Sequence, residues 1–517
     1  MNVETAARGA GRELAVVAPA TGEALGRVPV RDAAAVRSLV ERARAAQRAW
    51  GALDVRRRAR VLGAYRRVLA AHAEELADLS CRETGKLRFE ALLADILPTC
   101  DLARWYARRA PAVLARRRIP TGWLVTKRAY RLREPYGVVG VIGPWNLPVL
   151  NTMRATLAAL VAGNAVVLKP SEFSPFTALR LAELAAEAGL PADLFLVATG
   201  DGATGEALVE AGVDKISFTG SVEVGRHVAR LAAERLVPVT LELGGKDAFI
   251  VLADADVPGA ARAAVTGAFV NAGQICTSVE RVYVEAPVYE RFVEEAARVA
   301  AALRVGPEAV GGDVGAITTE AQMERLERHV RDAVQRGARV VAGGRRLEGG
   351  GRYFMPTVLA DVDHSMAVMR EETFGPILPV MKVRDAEEAL RLANDSPFAL
   401  GGSIFGAPRH AERLATGLRV GMACVNDALA NGLVAGLPFG GSGRSGYGRV
   451  YGDEGLFELS RPRTLVVGRR GLDLPLADFA LFRRMGWPRM LALIVLLHGG
   501  GRGERLRAIR TLLTGRP

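Results

Sequence analysis

A lone cysteine, Cys276, stands in the stretch NAGQICTSVERVYV (271–284), between polar loop residues and an apolar run that reads as a strand. Cys81, Cys100 and Cys424 are distant in sequence and no CxxC pair occurs, so neither a local disulfide nor a thiolate metal site is expected. A thiol on a Gly/Asn/Gln/Ser/Thr loop can face a cleft and, as thiolate, attack a carbonyl carbon. That chemistry needs a base and an oxyanion donor. Glu242, in VPVTLELGGK (237–246), is a carboxylate able to activate water, and Asn146, in the PWN that ends an apolar run, carries an amide able to hold an oxyanion. Each residue also has a plain structural alternative: an inert buried thiol, a salt-bridged glutamate, an asparagine capping a helix.

The elements that would position these groups follow from periodicity. Residues 31–115 repeat apolar positions at three and four, as amphipathic helices do. The segment WLVTKRAYRLREP alternates bulky and basic residues, as an exposed hairpin would. From Gly137 onward short apolar strands, GVVGVIG (137–143), AVVLKP (165–170) and KISFTG (215–220), alternate with alanine-rich helices, which predicts a parallel sheet covered on both faces. Ligands of such sheets lie beyond the carboxyl ends of the strands. A second α/β block is expected from about Asp247 to Val425, with strands near 248–252, 281–284 and 377–382. In the strand between the blocks, Val239, Leu241 and Leu243 share one face while Thr240 and Glu242 share the other, so Glu242 should leave the packed face near the Gly244–Gly245 hinge.

Three stretches carry weaker nucleotide signals. FTGSVEVG (218–225) places Gly220 and Ser221 at a strand end opening a helix whose free amides can face a phosphate. LKPSE (168–172) ends another strand with Lys169 and Glu172, a donor and an acceptor suited to ribose hydroxyls. GDGATG (200–205) matches GxGxxG, but no acidic residue closes the next strand, so it reads as a structural loop and helix start.

Length and charge bound the rest. At 517 residues two or three domains are expected. Six scattered histidines form no HExxH or Cys/His cluster, so no metal is expected. The N-terminus lacks a charged-then-apolar secretory pattern, and with no cysteine pairing this points to a reducing cytoplasm. Residues 483–517 hold eight arginines (483, 484, 489, 502, 505, 507, 510 and 516) against one acid, Glu504, and so carry +7 of the net charge of +13. Within them MLALIVLL (490–497) is well short of the roughly 20 residues a spanning helix needs. It could lie in a membrane interface at the inner face of a membrane, or pack on protein. No aromatic stacking platform accompanies the basic tail, which argues against nucleic acid as a partner.

Taken together, EPYGVVGVIGPWNLP, GNAVVLKPSE, FTGSVEVG, LELGGKDAFIVLADAD, NAGQICTS, EETFGP and PFGGSGRSGYGR resemble, in order and spacing, the motifs of the aldehyde dehydrogenase superfamily over roughly residues 15–465. The resemblance implies an α/β fold with a Rossmann-like NAD-binding domain (1–119 and 137–244), a catalytic domain (245–443), a small β oligomerisation element (120–136 and 444–467) and an extension at 468–517. It implies Cys276 as nucleophile, Glu242 as base, and Asn146 with the Cys276 amide as oxyanion hole. It further implies NAD, or NADP, contacted by Ile142, Trp145, Lys169, Glu172, Gly220, Ser221, Gly225, Leu243, Glu372 and Phe374, and a homodimer or homotetramer. A carboxylate at Glu172 favours a free 2′-hydroxyl, hence NAD.

The pattern departs from the family in one place: many hydrolytic members carry a second glutamate after SGxGR, where this chain has Val450. Leu147, Val149, Leu150, Ile275, Leu429, Leu433, Val434 and Phe439 are expected to line an apolar tunnel for a hydrophobic aldehyde, and the sequence resembles the branch with carotenoid-dialdehyde and long-chain enzymes. Against this, Arg154 lies where succinate-semialdehyde enzymes place an arginine, although their other arginine is Val270 here; a helix-surface position is expected for Arg154. A coenzyme A-acylating enzyme is disfavoured by Glu242, and a non-catalytic membrane-associated scaffold by the joint presence of Cys276, Glu242 and Asn146.

Overall fold

The computed structural model describes residues 12–124, 126–468 and 479–516. The chain divides into two compact units, Met1–Leu114 with Pro135–Arg461, and Ala115–Glu134 with Pro462–Pro517. In the first unit Val138–Ile142 runs through the middle of a six-stranded sheet. Ala165–Lys169 and Phe195–Val197 add to one side of it, Lys215–Thr219 and Val239–Glu242 to the other, all parallel. Gly446–Tyr447 closes that edge antiparallel to Val239–Glu242. Because the chain builds outward in both directions from Val138–Ile142, the strand ends diverge there and leave a crevice at their carboxyl side.

The near-continuous apolar strands are buried, as a sheet covered on two faces requires: every residue of Val138–Ile142 and Ala165–Lys169 is buried. Helix Leu150–Ala162, which starts four residues after Asn146, is buried at all thirteen positions. The helical reading of 31–115 resolves into Ala33–Ala52, Val55–Ala71 and Ala73–Thr84, then a π-helical turn at Ala91–Ile96 leading into Leu97–Val113. Asp32 and Asp54 cap the first two by accepting from Ala35 and Arg56 amides at 2.8 and 2.7 Å.

The second block forms a seven-stranded sheet in the order Arg339–Ala342, Thr357–Ala360, Ile377–Val383, Val279–Glu285, Asp247–Val251, Gly401–Phe405, Met422–Val425, parallel except for the first pair. Each sheet organises its own hydrophobic core. The link from the first sheet to the second, between Glu242 and Asp247, is Leu243-Gly244-Gly245-Lys246. Residues 444–461, which the family resemblance groups with the oligomerisation element, pack with the first unit. An antiparallel hairpin, Glu13–Val17 with Ala24–Pro29, has no forerunner in the sequence patterns.

In the second unit a three-stranded sheet takes the order Ser460–Gly468, Lys127–Pro135, Arg117–Ile119, so the expected hairpin begins a few residues earlier than 120. Arg463 Nη1 meets Glu134 Oε1 at 2.6 Å. Two helices follow, Phe479–His498, which is kinked at Gly486 (φ 64°, ψ 165°) just before Pro488, and Arg502–Thr514. Among the described residues no helix is long and apolar enough to cross a membrane.

Candidate active site

Cys276 sits on the turn between a helix that ends at Phe269 and the Val279–Glu285 strand. That turn is held in an uncommon shape, with Asn271, Ala272 and Gly273 all at positive φ (55°, 52° and 72°). Such backbone persists only when its surroundings over-determine it. Here Glu90 Oε1 accepts from the Asn271 amide at 2.5 Å, and Gln274 Nε2 donates to the Asn271 and Ala316 carbonyls at 3.1 and 3.2 Å. The Thr318 amide returns a hydrogen bond to Gln274 Oε1 at 3.0 Å. A side chain at Gly273 would collide with the Gly375 carbonyl, and one at Gly245 with the Cys276 carbonyl oxygen. The loop carrying the thiol is thus fitted against the hinge that follows Glu242.

Asn146 reaches the same place from the end of Val138–Ile142. Its Oδ1 accepts from Asn151 Nδ2 at 3.0 Å, which fixes the sense of the amide, and its Nδ2 donates to the Gln274 carbonyl at 2.9 Å while keeping a second N–H. Lys86 Nζ donates to the Asn146 carbonyl at 2.8 Å, and Asn271 Nδ2 donates to the same oxygen at 3.1 Å. Asp95, 3.4 Å from Lys86, accepts the Leu150 amide at 2.5 Å at the start of the Leu150–Ala162 helix. This buried set ties the π-helical turn, Asn146 and the Cys276 loop together.

Glu242 occupies the end of Val239–Glu242. The strand is buried on both faces, so Glu242 does not leave the packed region as its alternation suggests; its carboxyl projects into an internal cavity. Among the described residues neither carboxyl oxygen has a hydrogen-bond partner. Burial pushes its pKa up to about 8, opposed by Arg154 and Arg449. Arg449 Nη1 donates to the Gly441 and Gly448 carbonyls at 2.7 and 2.6 Å, and Val450 is packed in an antiparallel bridge with Phe439. Burial likewise pushes the Cys276 thiol up to about 12, opposed by the charge of Arg154. Near neutrality the thiol therefore keeps its proton until a base or positive charge helps remove it.

Cys276, Glu242 and Asn146 line one cavity of ≈ 340 Å³, together with Trp145, Asn151, Gly220, Ser221, Leu243, Glu372 and Phe374. Phe374 is itself at positive φ (54°), and its ring meets Trp145 edge-on at 5.6 Å. Glu280, paired with buried Lys246 at 2.6 Å, holds that backbone by accepting the Thr373 and Phe374 amides at 2.9 and 2.8 Å. Glu372 Oε1 accepts the Gly245 amide at 3.0 Å, and burial pushes its pKa up to about 7.

Ile142 and Lys169 line a neighbouring cleft of ≈ 520 Å³ with Phe218, Val224 and His227. Lys169 Nζ lies 3.5 Å from Glu172 Oε2, and burial lowers its pKa against the pull of that carboxylate. The 200–205 turn, which reads as purely structural, borders this cleft through Gly202 and Gly205. Ser221 caps the Val222–Glu234 helix by accepting the Val224 amide at 3.3 Å. Gly225 lines neither cavity: a Cβ there would run into Leu243, so it sets how closely this helix approaches the sheet. Glu172 lines neither cavity, but two adjoining clefts at strand ends, with a helix N-terminus between them and its partner Lys169 in one, fit a dinucleotide.

Two expectations need correction. Arg154 is not on a helix surface but 3 % exposed, because its helix is buried all round. Its guanidinium lies 4.8 Å from the Phe439 ring and Nη2 donates to Thr219 Oγ1 at 3.4 Å, while Nε has no hydrogen-bond partner among the described residues. None of the eight residues expected in an apolar tunnel lines the Cys276 cavity: Val149 and Leu150 are packed in the core, whereas Leu433 and Val434 are exposed. Lys86, Glu90, Asp95, Asn151, Asn271 and Gln274 are not singled out by sequence reasoning; most act through partners far away in the chain, whereas Asn151 bonds Asn146 only five residues off.

The family model described as "Aldehyde dehydrogenase family" matches residues 6–465. The chain is 42% identical over 462 residues to the 4,4'-diapolycopene aldehyde oxidase of Methylomonas sp, covering 89% of this chain and 86% of that protein. It is 38% identical to the NADP(+) succinate-semialdehyde dehydrogenase GabD of Escherichia coli (strain K12), covering 87% of this chain and 94% of that one. Among solved structures, PnpE in complex with nicotinamide adenine dinucleotide superposes with a TM-score of 0.86 at 32% identity, covering 90% of this chain and 96% of that one. With that match, and Cys276, Glu242 and Asn146 around one cavity, the chain belongs to the aldehyde dehydrogenase family and is an enzyme that oxidises aldehydes with NAD or NADP.

Proposed function

We propose that Cys276 attacks the aldehyde carbon, that Asn146 Nδ2 and the Cys276 backbone amide hold the resulting alkoxide, and that Glu242 activates the water that releases the product acid. The observation that carries this reading is the single ≈ 340 Å³ cavity lined by all three side chains. As the S–C bond forms, the thiol proton passes to solvent and the carbonyl π pair becomes the alkoxide of a thiohemiacetal; an oxidised nicotinamide, when bound, would supply the hydride acceptor whose reduction leaves a thioester. Glu242 then takes a proton from water, the water oxygen adds to the thioester carbon, and the C–S bond breaks to give a carboxylic acid and the thiol. Trp145, Leu243, Glu372 and Phe374 frame the nicotinamide side, Gly220 and Ser221 the phosphates, and Ile142, Lys169 and Glu172 the adenosine side. Residues 245–443 act as the catalytic domain and 1–119 with 137–244 as the cofactor domain. Cys276→Ala should abolish NADH formation from every aldehyde while cofactor still binds; turnover surviving in that variant refutes the scheme.

The substrate we favour is a hydrophobic aldehyde. Support comes from two exposed apolar segments: Phe89, Leu92, Leu93 and Leu97 around the π-helical turn, and Leu433, Val434 and Leu437 on the loop whose Gly436 packs against Trp105, in the helix that continues that turn. The inward side of that turn carries Asp95, which accepts the Leu150 amide and so ties the turn to the helix that follows Asn146. Similarity to an oxidase named for a carotenoid aldehyde agrees with this. A second reading, a short carboxylated aldehyde, rests on Arg154, a buried cation whose charge acts on Cys276 and Glu242 and whose Nε has no hydrogen-bond partner among the described residues. Comparing decanal with succinate semialdehyde separates the two: we expect higher kcat/KM with decanal, and the opposite order, abolished by Arg154→Leu, favours the second reading. Self-association through the three-stranded sheet into a dimer or tetramer, and a reducing compartment such as the cytoplasm for four unpaired cysteines, complete the proposal.

A further inference from the structure

The family match ends at residue 465, and the helical hairpin beyond it has no part in the chemistry above. In the first hairpin helix, Trp487, Leu491, Ile494 and Leu497 are exposed and recur at spacings of three and four, which puts them on one face. In the second, Leu506, Ile509 and Leu513 do the same. Ala492, Ala508 and Thr511 are buried, and with Trp487, Leu491 and Val495 line a groove of ≈ 530 Å³ between the helices. On the second helix the buried positions 508 and 511 lie opposite the Leu506–Ile509–Leu513 stripe, so the stripe is left uncovered by the helix–helix contact. Trp487 and Leu513 are 70 % and 78 % exposed, unusual for such side chains unless something else covers them.

Charge decides what that cover is. Arg502, Arg505 and Arg510 flank the second stripe and are exposed, and the hairpin's single acid is Glu504. A second copy of this chain would bring the same arginines against them. A negatively charged lipid surface would satisfy both the apolar stripes and the cations around them. The first helix is too short in its apolar run, and too bent at Gly486 and Pro488, to do more than lie in the headgroup layer.

We infer that residues 479–516 are a monotopic docking element that seats the enzyme on an anionic phospholipid bilayer. The test is vesicle flotation of the full chain, with vesicles of one part phosphatidylglycerol to three of phosphatidylcholine, and with phosphatidylcholine alone. Wild type should float with the anionic vesicles at low salt and at least tenfold less with the neutral ones. The triple substitution Leu506→Ser, Ile509→Ser, Leu513→Ser should cut recovery with anionic vesicles at least tenfold while propanal oxidation is unchanged, because only exposed side chains are altered. Wild type absent from the anionic vesicle fraction, or a triple variant that floats as well as wild type, overturns the inference. If the stripe instead binds a second copy, light scattering will give a lower mass for the triple variant and flotation will be absent, which overturns it too.

Discussion

At the scale of single residues the chemistry turns on one buried acid. Burial raises the pKa of Glu242 to about 8, so as the proposed base it would accept a proton from water more readily as pH rises through that value. Steady-state turnover should therefore climb between pH 7 and 9 in wild type. Glu242→Gln should give one burst of NADH equal to the enzyme concentration, then stall, with no rising limb; an unchanged steady-state rate would exclude Glu242 as the base. Asn146→Ala removes one oxyanion donor and should lower kcat by roughly a hundredfold, about 3 kcal/mol. Glu172, 3.5 Å from Lys169, places a carboxylate where a 2′-phosphate would be repelled, so kcat/KM should be higher with NAD than with NADP. That Cys276, Glu242 and Asn146 come together around one cavity was legible in the sequence, because their types are chemically pointed and each stands at a strand or loop end. The burial of Arg154 was not, because an arginine in NTMRATLAALVA looks like the polar side of a helix. The apolar residues all around it were the available signal, since a helix without a polar face is interior.

Among elements, the turn bearing the thiol owes its shape to contacts that span the chain. Gly273 and Gly245 are readable as glycines in a loop, but that Asn271 and Ala272 share Gly273's left-handed backbone is set by Glu90, Gln274 and Thr318, which no local pattern reveals. Gly273→Ala should destabilise the fold by about 1–3 kcal/mol for the conformation alone, with more from the clash at Gly375, seen as an earlier thermal transition. Lys86→Met leaves Asp95 as a buried, unpaired charge and removes the donor to the Asn146 carbonyl. A stability loss of about 3–5 kcal/mol is expected, accompanied by lower kcat; an unaltered denaturation midpoint would show the pair to be dispensable. The strands themselves were readable, since continuous apolar runs between alanine-rich helices fit only a covered parallel sheet. The hairpin at Glu13–Pro29 was not, because its short strands mix exposed and buried residues without a clean alternation.

For the whole molecule, seven motifs in register identify the fold, while the apolar entrance expected from single residues does not materialise as drawn, because which way a side chain points depends on packing that spacing alone leaves open. Strand Ser460–Gly468 is an outer strand of its sheet and exposes Val466 and Val467, a shape suited to pairing with another chain. If the enzyme assembles there, Val466→Lys should reduce the mass found by light scattering to that of one chain. The four-residue passage between the two sheets of the first unit has a wider effect. It leaves Glu242 at the end of a strand of one sheet and Cys276 on the loop leading into a strand of the other, with Cys276 itself packed against the first core, so the placing of the two side chains depends on how well the sheets are seated. Gentle heating or dilute urea that loosens this seating should silence turnover while far-ultraviolet circular dichroism still reports intact helices and strands, making catalysis the molecule's own early warning of unfolding.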